Sequence, residues 1–186
     1  MPVPGRRWRS CSPRPSPATD AGLCAWKVAF ILRRLALADM AEASTVHRTA
    51  FDERLPWLAG LHTSQEDAAY FQDRVFAECA LWGAVQDGLI GIVAFRKGWV
   101  DQLYVLPGWQ RQGVGSALLE VAKAASRSLS LWTFQRNAPA CRFYAAHGFV
   151  TVRETDGNDN EEREPDVLYH WQVSLAGESL SHASRH

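Results

Sequence analysis

The chain has 186 residues, 47% apolar and 22% charged, with twenty basic against twenty acidic side chains. That length supports one ordinary domain, the composition excludes a disordered or fibrous chain, and no apolar run is long enough to cross a membrane as a helix. A formal net charge of zero argues against binding along a nucleic-acid backbone, which calls for a basic footprint.

The balance is uneven. Residues 1–19 hold four arginines (Arg6, Arg7, Arg9, Arg14) and no acid, leaving 16 basic against 20 acidic side chains in the rest, a mildly acidic domain suited to a cationic substrate. The first 22 residues are rich in Pro, Arg and Ser. They share Arg-richness with a transit peptide but lack its amphipathic spacing, and read as a disordered extension. The tail "AGESLSHASRH" reads as frayed. Cys11, Cys24, Cys79 and Cys141 form no C-x-x-C pair and, with the histidines, no zinc pattern; Cys79 and Cys141 read as small buried hydrophobes, which fits a reducing cytoplasm.

Residues 27–35, "KVAFILRRL", read as a first strand. Asp39 with Glu42 three residues on has the form of a capping box, and Met40, Ala43, Val46 and Ala50 fall at helical spacing before Pro56 ends the run. Ser64 with Asp67 suggests the same start for a second helix, whose Ala68, Phe71, Val75 and Cys79 line one face. The period then turns strand-like. "LWGAV" and "LIGIVAF" flank Gln86-Asp87-Gly88, a hairpin signal because the Asp-Gly turn calls for positive φ, and Lys97-Gly98 precedes a third strand, "WVDQLYV". After the stretch "WQRQGVGSALL" come a helix, the apolar and hence central strand "LSLWTF", and a short helix with Pro139 in its first turn and Gly148 at its end. A strand "FVTVRET", a polar loop and a last strand "DVLYHWQV" complete the order β-α-α-β-β-β-α-β-α-β-β.

A glycine turn between strand and helix aims backbone N–H groups and the helix dipole at one spot, which suits either tight packing or a phosphate. Gly113-Val114-Gly115 lacks the third glycine of a dinucleotide fingerprint and the Gly-Lys-Ser/Thr of a P-loop. On these residues alone, packing and phosphate binding stay open.

Two blocks together resemble the GNAT superfamily of acetyl-CoA-dependent N-acetyltransferases. One is Gln110-Arg111-Gln112-Gly113-Val114-Gly115 after "LYVLPGW"; the other is "LSLWTFQRNAPACRFYAAHGF". The resemblance covers about residues 27–173 and implies an α/β fold with a mixed, mostly antiparallel sheet of about seven strands, splayed after the fourth, and about four flanking helices. The expected organisation is an extension over 1–25, the N-acetyltransferase domain over 26–174 and a flexible tail over 175–186.

What the resemblance implies for individual residues is specific. Amides of Gln110, Arg111, Gln112, Gly113, Val114, Gly115 and Ser116 would bind the coenzyme A pyrophosphate without a metal. Leu103, Tyr104 and Val105 would line the acetyl and pantetheine groups, with a free N–H near Val105 as oxyanion donor. Asn137 would bond the pantetheine arm, and Tyr144 would act as general acid on the leaving thiolate, since a phenol, of unperturbed pKa ~10, is a proton donor. Asp101, by strand alternation on the face of Leu103 and Val105, is a candidate base, and His47 a weaker one; many relatives drain the proton through water instead.

The segment Asn160-Glu161-Glu162-Arg163-Glu164-Pro165-Asp166 resembles one that precedes the last strand in some bacterial members. There Glu161, Glu162 and Asp166 would hold a cationic amine, or else stand as solvated charges. The reaction expected is direct acetyl transfer to a small-molecule or protein amine, with no nucleic-acid or membrane partner, in the cytoplasm. The alternative is a catalytically silent acyl-CoA-binding module. Dimers are common in the family, and the sequence leaves the oligomeric state open.

Overall fold

The apolar run "LIGIVAF" becomes the most deeply buried strand because helices cover both its faces. In the computed structural model, which describes residues 29–173, β1 (Ile31–Arg34), β2 (Ala80–Val85), β3 (Leu89–Arg96), β4 (Trp99–Val105), β5 (Ser128–Phe134), β6 (Val150–Glu154) and β7 (Asp166–Gln172) form one open sheet. Its order is β1-β2-β3-β4-β5-β7-β6. The expected extension and tail, and the start of the first strand, lie outside the described residues. Four helices flank the sheet: α1 (Met40–Arg54); α2 (Ser64–Tyr70), which runs on through a π-helical turn at Phe71–Val75 and a last turn at Phe76–Glu78; α3 (Val114–Ala124); and α4 (Ala138–Ala146). The α/β class, the chain order and the central place of β5 are as the sequence implies.

Two apolar clusters hold the layers. Met40, Phe71 and Ile92 are fully buried where α1 and α2 cover one face, and Leu118, Leu119, Leu129 and Leu131 where α3 and α4 cover the other. Each such side chain contributes about 1.5–3 kcal/mol on burial. Arg48 of α1 reaches across to the buried Asp67 of α2, with Nε at 2.5 Å, and joins the two helices.

Three local expectations are corrected. Asp39 and Glu42 form no capping box: the Asp39 carboxylate accepts the Ala36 N–H at 2.7 Å and binds Arg33, while Glu42 accepts the Leu89 N–H at 2.7 Å and ties α1 to β3. The start of α2 is one residue earlier than expected. Thr63 accepts the Glu66 N–H, and Glu66 accepts the Thr63 N–H at 2.7 Å, leaving Asp67 for Arg48. The turn at Gln86-Asp87-Gly88 uses no positive φ; a register shift after Ala84 provides the bend instead, and the Gln86 N–H closes on the Gly88 carbonyl at 3.0 Å.

Between β4 and β5, the one parallel pair, the only registered partners are Trp99 and Ser130. From there the strands diverge, giving the splay expected after strand four.

Candidate active site

The splay leaves the far edge of β4 without a partner. The Leu106 N–H donates to the Ile90 carbonyl at 2.9 Å, so the close pairs on the β3 side fall at Leu106, Tyr104 and every second residue. The N–H and C=O groups of Leu103 and Val105 therefore point the other way, into the gap before β5. The Val105 carbonyl accepts Gln110 Nε2 at 3.1 Å across that edge, and its N–H has no strand to pair with.

Beyond β4, the chain turns at Pro107–Trp109 and enters α3 through two left-handed residues, Arg111 (φ 62°) and Gly113 (φ 85°). No side chain caps α3, and its first internal bond runs from the Ala117 N–H to the Gly113 carbonyl at 3.0 Å. The amides of Val114, Gly115 and Ser116 are the open donors of a helix N-terminus. A Cβ on Gly113 would meet nothing within 4 Å, and one on Gly115 the Phe143 ring at 3.5 Å and Val105 Cγ2 at 3.7 Å, both ordinary contacts. Packing demands neither glycine; the first is needed for its φ, and the second leaves room beside bare amides, as a phosphate cradle requires.

The other motif residues divide by what their side chains do. Gln110 bridges the Val105 carbonyl and Arg54 of α1, whose guanidinium donates to Gln110 Oε1 at 2.6 Å. Gln112 closes the turn onto the Gly108 carbonyl at 2.7 Å, and Val114 is buried in the core, so both offer the cleft at most an amide. His147 lies with Nδ1 at 2.7 Å from the Phe143 carbonyl, which only accepts, and with Nε2 at 2.9 Å from the Ser116 hydroxyl. Asn137 caps α4 through Oδ1 on the Ala140 N–H at 3.3 Å, leaving its amide NH₂ to donate.

Tyr144 comes from the second turn of α4 and packs against Phe143, Phe149 and Tyr169, with centroids at 5.3, 5.6 and 6.1 Å. Burial raises its phenol above the ordinary range, so it stays protonated. Its hydroxyl has no protein partner among the described residues. A cavity of about 1100 Å³ runs through the splay, and Leu103, Val105, Gly115, Ser116, Asn137 and Tyr144 all line it.

The placement of Asp101 by strand alternation is corrected. The β4 register passes from Gln102 opposite Ala94 to Val100 opposite Phe95, so Asp101 is an extra residue in a bulge and alternation fails there. It bonds to Cys79, on the α2 side, and is ion-paired with Arg96 at 3.0 Å, while still lining the same cavity as Leu103 and Val105. Burial, with Asp101 beside it, pushes the Cys79 thiol up to about 12.

His47 lies edge-on to Tyr104 with centroids at 4.6 Å, and its Nδ1 is buried without a partner. Burial lowers its pKa from 6.5 to about 4. The unfolded chain thus takes up the proton first, and stability complete above 6.5 is lost as pH falls from there toward 4. His47→Gln is expected to flatten that part of the urea-midpoint profile; a mutant profile parallel to the wild type would refute it.

The acidic loop divides too. Asp166 accepts the Thr155 hydroxyl at 2.5 Å and Asn160 Nδ2 at 3.0 Å, Glu161 lies 3.7 Å from His62, and Glu162 faces the cavity. Sequence reasoning missed Arg54, which follows no motif and meets Gln110 only through the fold.

A family model described as an acetyltransferase (GNAT) domain matches residues 72–151. Over 83 residues the chain is 34% identical to the peptidyl-lysine N-acetyltransferase YiaC of Escherichia coli K12, covering 44% of this chain and 57% of that protein. The chain thus spans little more than half the length of that relative. The apo-form YjaB of Escherichia coli superposes with a TM-score of 0.64 at 21% identity, over 76% of this chain and 97% of that one. The PaiA N-acetyltransferase of Thermoplasma acidophilum, solved in complex with coenzyme A, gives 0.60 at 20% identity, over 78% and 99%. Domain match, splay and glycine turn fall on the same stretch of chain, which there resembles the acetyltransferase (GNAT) domain.

Proposed function

We propose that the protein is an N-acetyltransferase that moves the acetyl group of acetyl-CoA to a primary amine by direct attack in a ternary complex. The observation that carries this is the set of unpaired donors along one cavity: the open amides at the head of α3 and the free edge of β4. Arg111, Gly113, Gly115 and Ser116 would hold the pyrophosphate, Asn137 the pantetheine arm, and the Val105 N–H the thioester oxygen.

Acetyl-CoA supplies an activated carbonyl whose C–S bond breaks as the new N–C bond forms. Tyr144 would give its proton to the departing sulfur. With Asp101 held by Arg96, the amine proton leaves through water in the open cavity. The domain would extend over residues 26–174. The name of the YiaC relative makes lysine side chains the first acceptors to test, and acetyl-CoA as donor fits the cytoplasmic placement expected from composition.

Purified protein incubated with acetyl-CoA and a panel of amines, lysine peptides among them, should release free thiol in step with N-acetylated product. Tight binding of acetyl-CoA without thiol release on any amine would favour the silent acyl-CoA-binding module instead.

A further inference from the structure

We propose that His147 is a positioning residue for the acyl donor: binding of the coenzyme A diphosphate places a proton on its imidazole, which turns the Ser116 hydroxyl from the ring to the ligand. This rests on the N-acetyltransferase reading, which gives the open amides of α3 to coenzyme A, and it adds a proton to that binding step.

His147 is held by two hydrogen bonds of opposite kind. Its Nδ1 stands 2.7 Å from the Phe143 carbonyl, and a carbonyl oxygen can only accept, so the single proton of the neutral ring is on Nδ1. Nε2 is then an acceptor, and at 2.9 Å it takes the Ser116 O–H. Ser116 is the third residue of α3 and lines the cavity. With its proton turned to the ring, its oxygen offers only lone pairs to the cradle, and these repel an anion. A second ring proton reverses the bond. Nε2–H then donates to Ser116 Oγ, and the hydroxyl is free to donate to a phosphate oxygen beside the Ser116 amide. The proton comes from solvent, so one proton enters with the diphosphate.

The charges around the ring oppose one another. His147 follows the last turn of α4, whose C-terminal carbonyls favour a cation. Across from it stand the head of α3, which favours an anion, and Lys123, whose Nζ donates to the His147 carbonyl at 2.9 Å and pairs with Glu120 at 3.1 Å. Arg142, on α4 itself, is exposed, and β7 brings the uncharged Trp171 beside Gly148. A diphosphate at the head of α3 supplies the negative charge that favours the protonated ring.

The test uses dephospho-coenzyme A, whose diphosphate stays ionised throughout the range in which imidazoles change charge, about pH 5 to 8. NMR of the histidine rings, with His147 assigned through His147→Gln, should show the His147 midpoint moving to higher pH on binding. Calorimetry in buffers of different ionisation enthalpy should show proton uptake by the wild type that His147→Gln loses, with melting curves confirming that the variant is folded. Ser116→Ala should weaken binding at the acid end of the range by about tenfold, as loss of a charge-assisted hydrogen bond does, and leave binding at the alkaline end within about twofold. A His147 midpoint that does not move, equal proton uptake by wild type and His147→Gln, or a Ser116→Ala loss of the same size at both ends would overturn the proposal. The two readings fail separately. Binding with the His147 shift but no acetyl transfer to any amine removes the transferase activity alone, and binding without the shift removes this role of His147 alone.

Discussion

Gly113→Val is expected to raise the acetyl-CoA dissociation constant by at least about tenfold, because a left-handed conformation costs an ordinary L-residue about 1–2 kcal/mol and a β-branched one more. At φ 85° the position sits where valine fits worst. To relieve the strain the turn must rotate, and the amides that follow turn with it. That result alone would not separate a lost ligand site from a disturbed loop, so Gly115→Ala belongs beside it. A Cβ there meets Phe143 at an ordinary 3.5 Å, and alanine stabilises a helix over glycine by roughly 0.5–1 kcal/mol. The variant should melt no lower than wild type, yet bind acetyl-CoA more weakly because the methyl group stands where the ligand must approach. Calorimetric titration of both variants, with thermal unfolding alongside, reads the two effects apart. Normal binding by Gly115→Ala would return the glycine to mere packing and sink the phosphate cradle.

Tyr144→Phe should lower kcat by about 10²–10⁴-fold, the usual worth of a positioned general acid. Acetyl-CoA affinity and melting temperature should barely move, because the ring keeps its contacts with Phe143, Phe149 and Tyr169 and the hydroxyl has no partner to lose among the described residues. Since burial raises the phenol's pKa, Tyr144 remains protonated on moving from neutral to mildly alkaline pH, so it should cause no loss of activity there. A variant with unchanged kcat would show that the leaving sulfur needs no proton from this residue.

What the sequence made legible follows from what is local. The glycine turn, the short helix with Pro139 in its first turn and the change of period after Cys79 are set by neighbours in the chain, and all appear where expected. Misreadings began where one strand or helix is fitted to another. Asp101 changed face because β4 carries one residue more than β3 over that stretch, a matter of register between strands that alternation within one cannot report. Asp39 and Asp67 both had the spacing of a cap, but each is engaged by an arginine, and Arg48 is 19 residues away from its aspartate. The acidic loop was visible as composition, but nothing in composition distinguishes Glu162 from neighbours already bound by Thr155, Asn160 and His62.

The open edge of β4 makes the protein an unfinished sheet. Tyr104 has its backbone bonded to Ile92, whereas Val105 next to it turns its amide to the gap. Adjacent residues of one rigid strand should therefore exchange their amide hydrogens at very different rates, slowly at Tyr104 and fast at Val105. Any extended ligand whose own donors and acceptors match that edge serves as the missing strand, and its arrival should slow exchange at Val105 with little change at Tyr104.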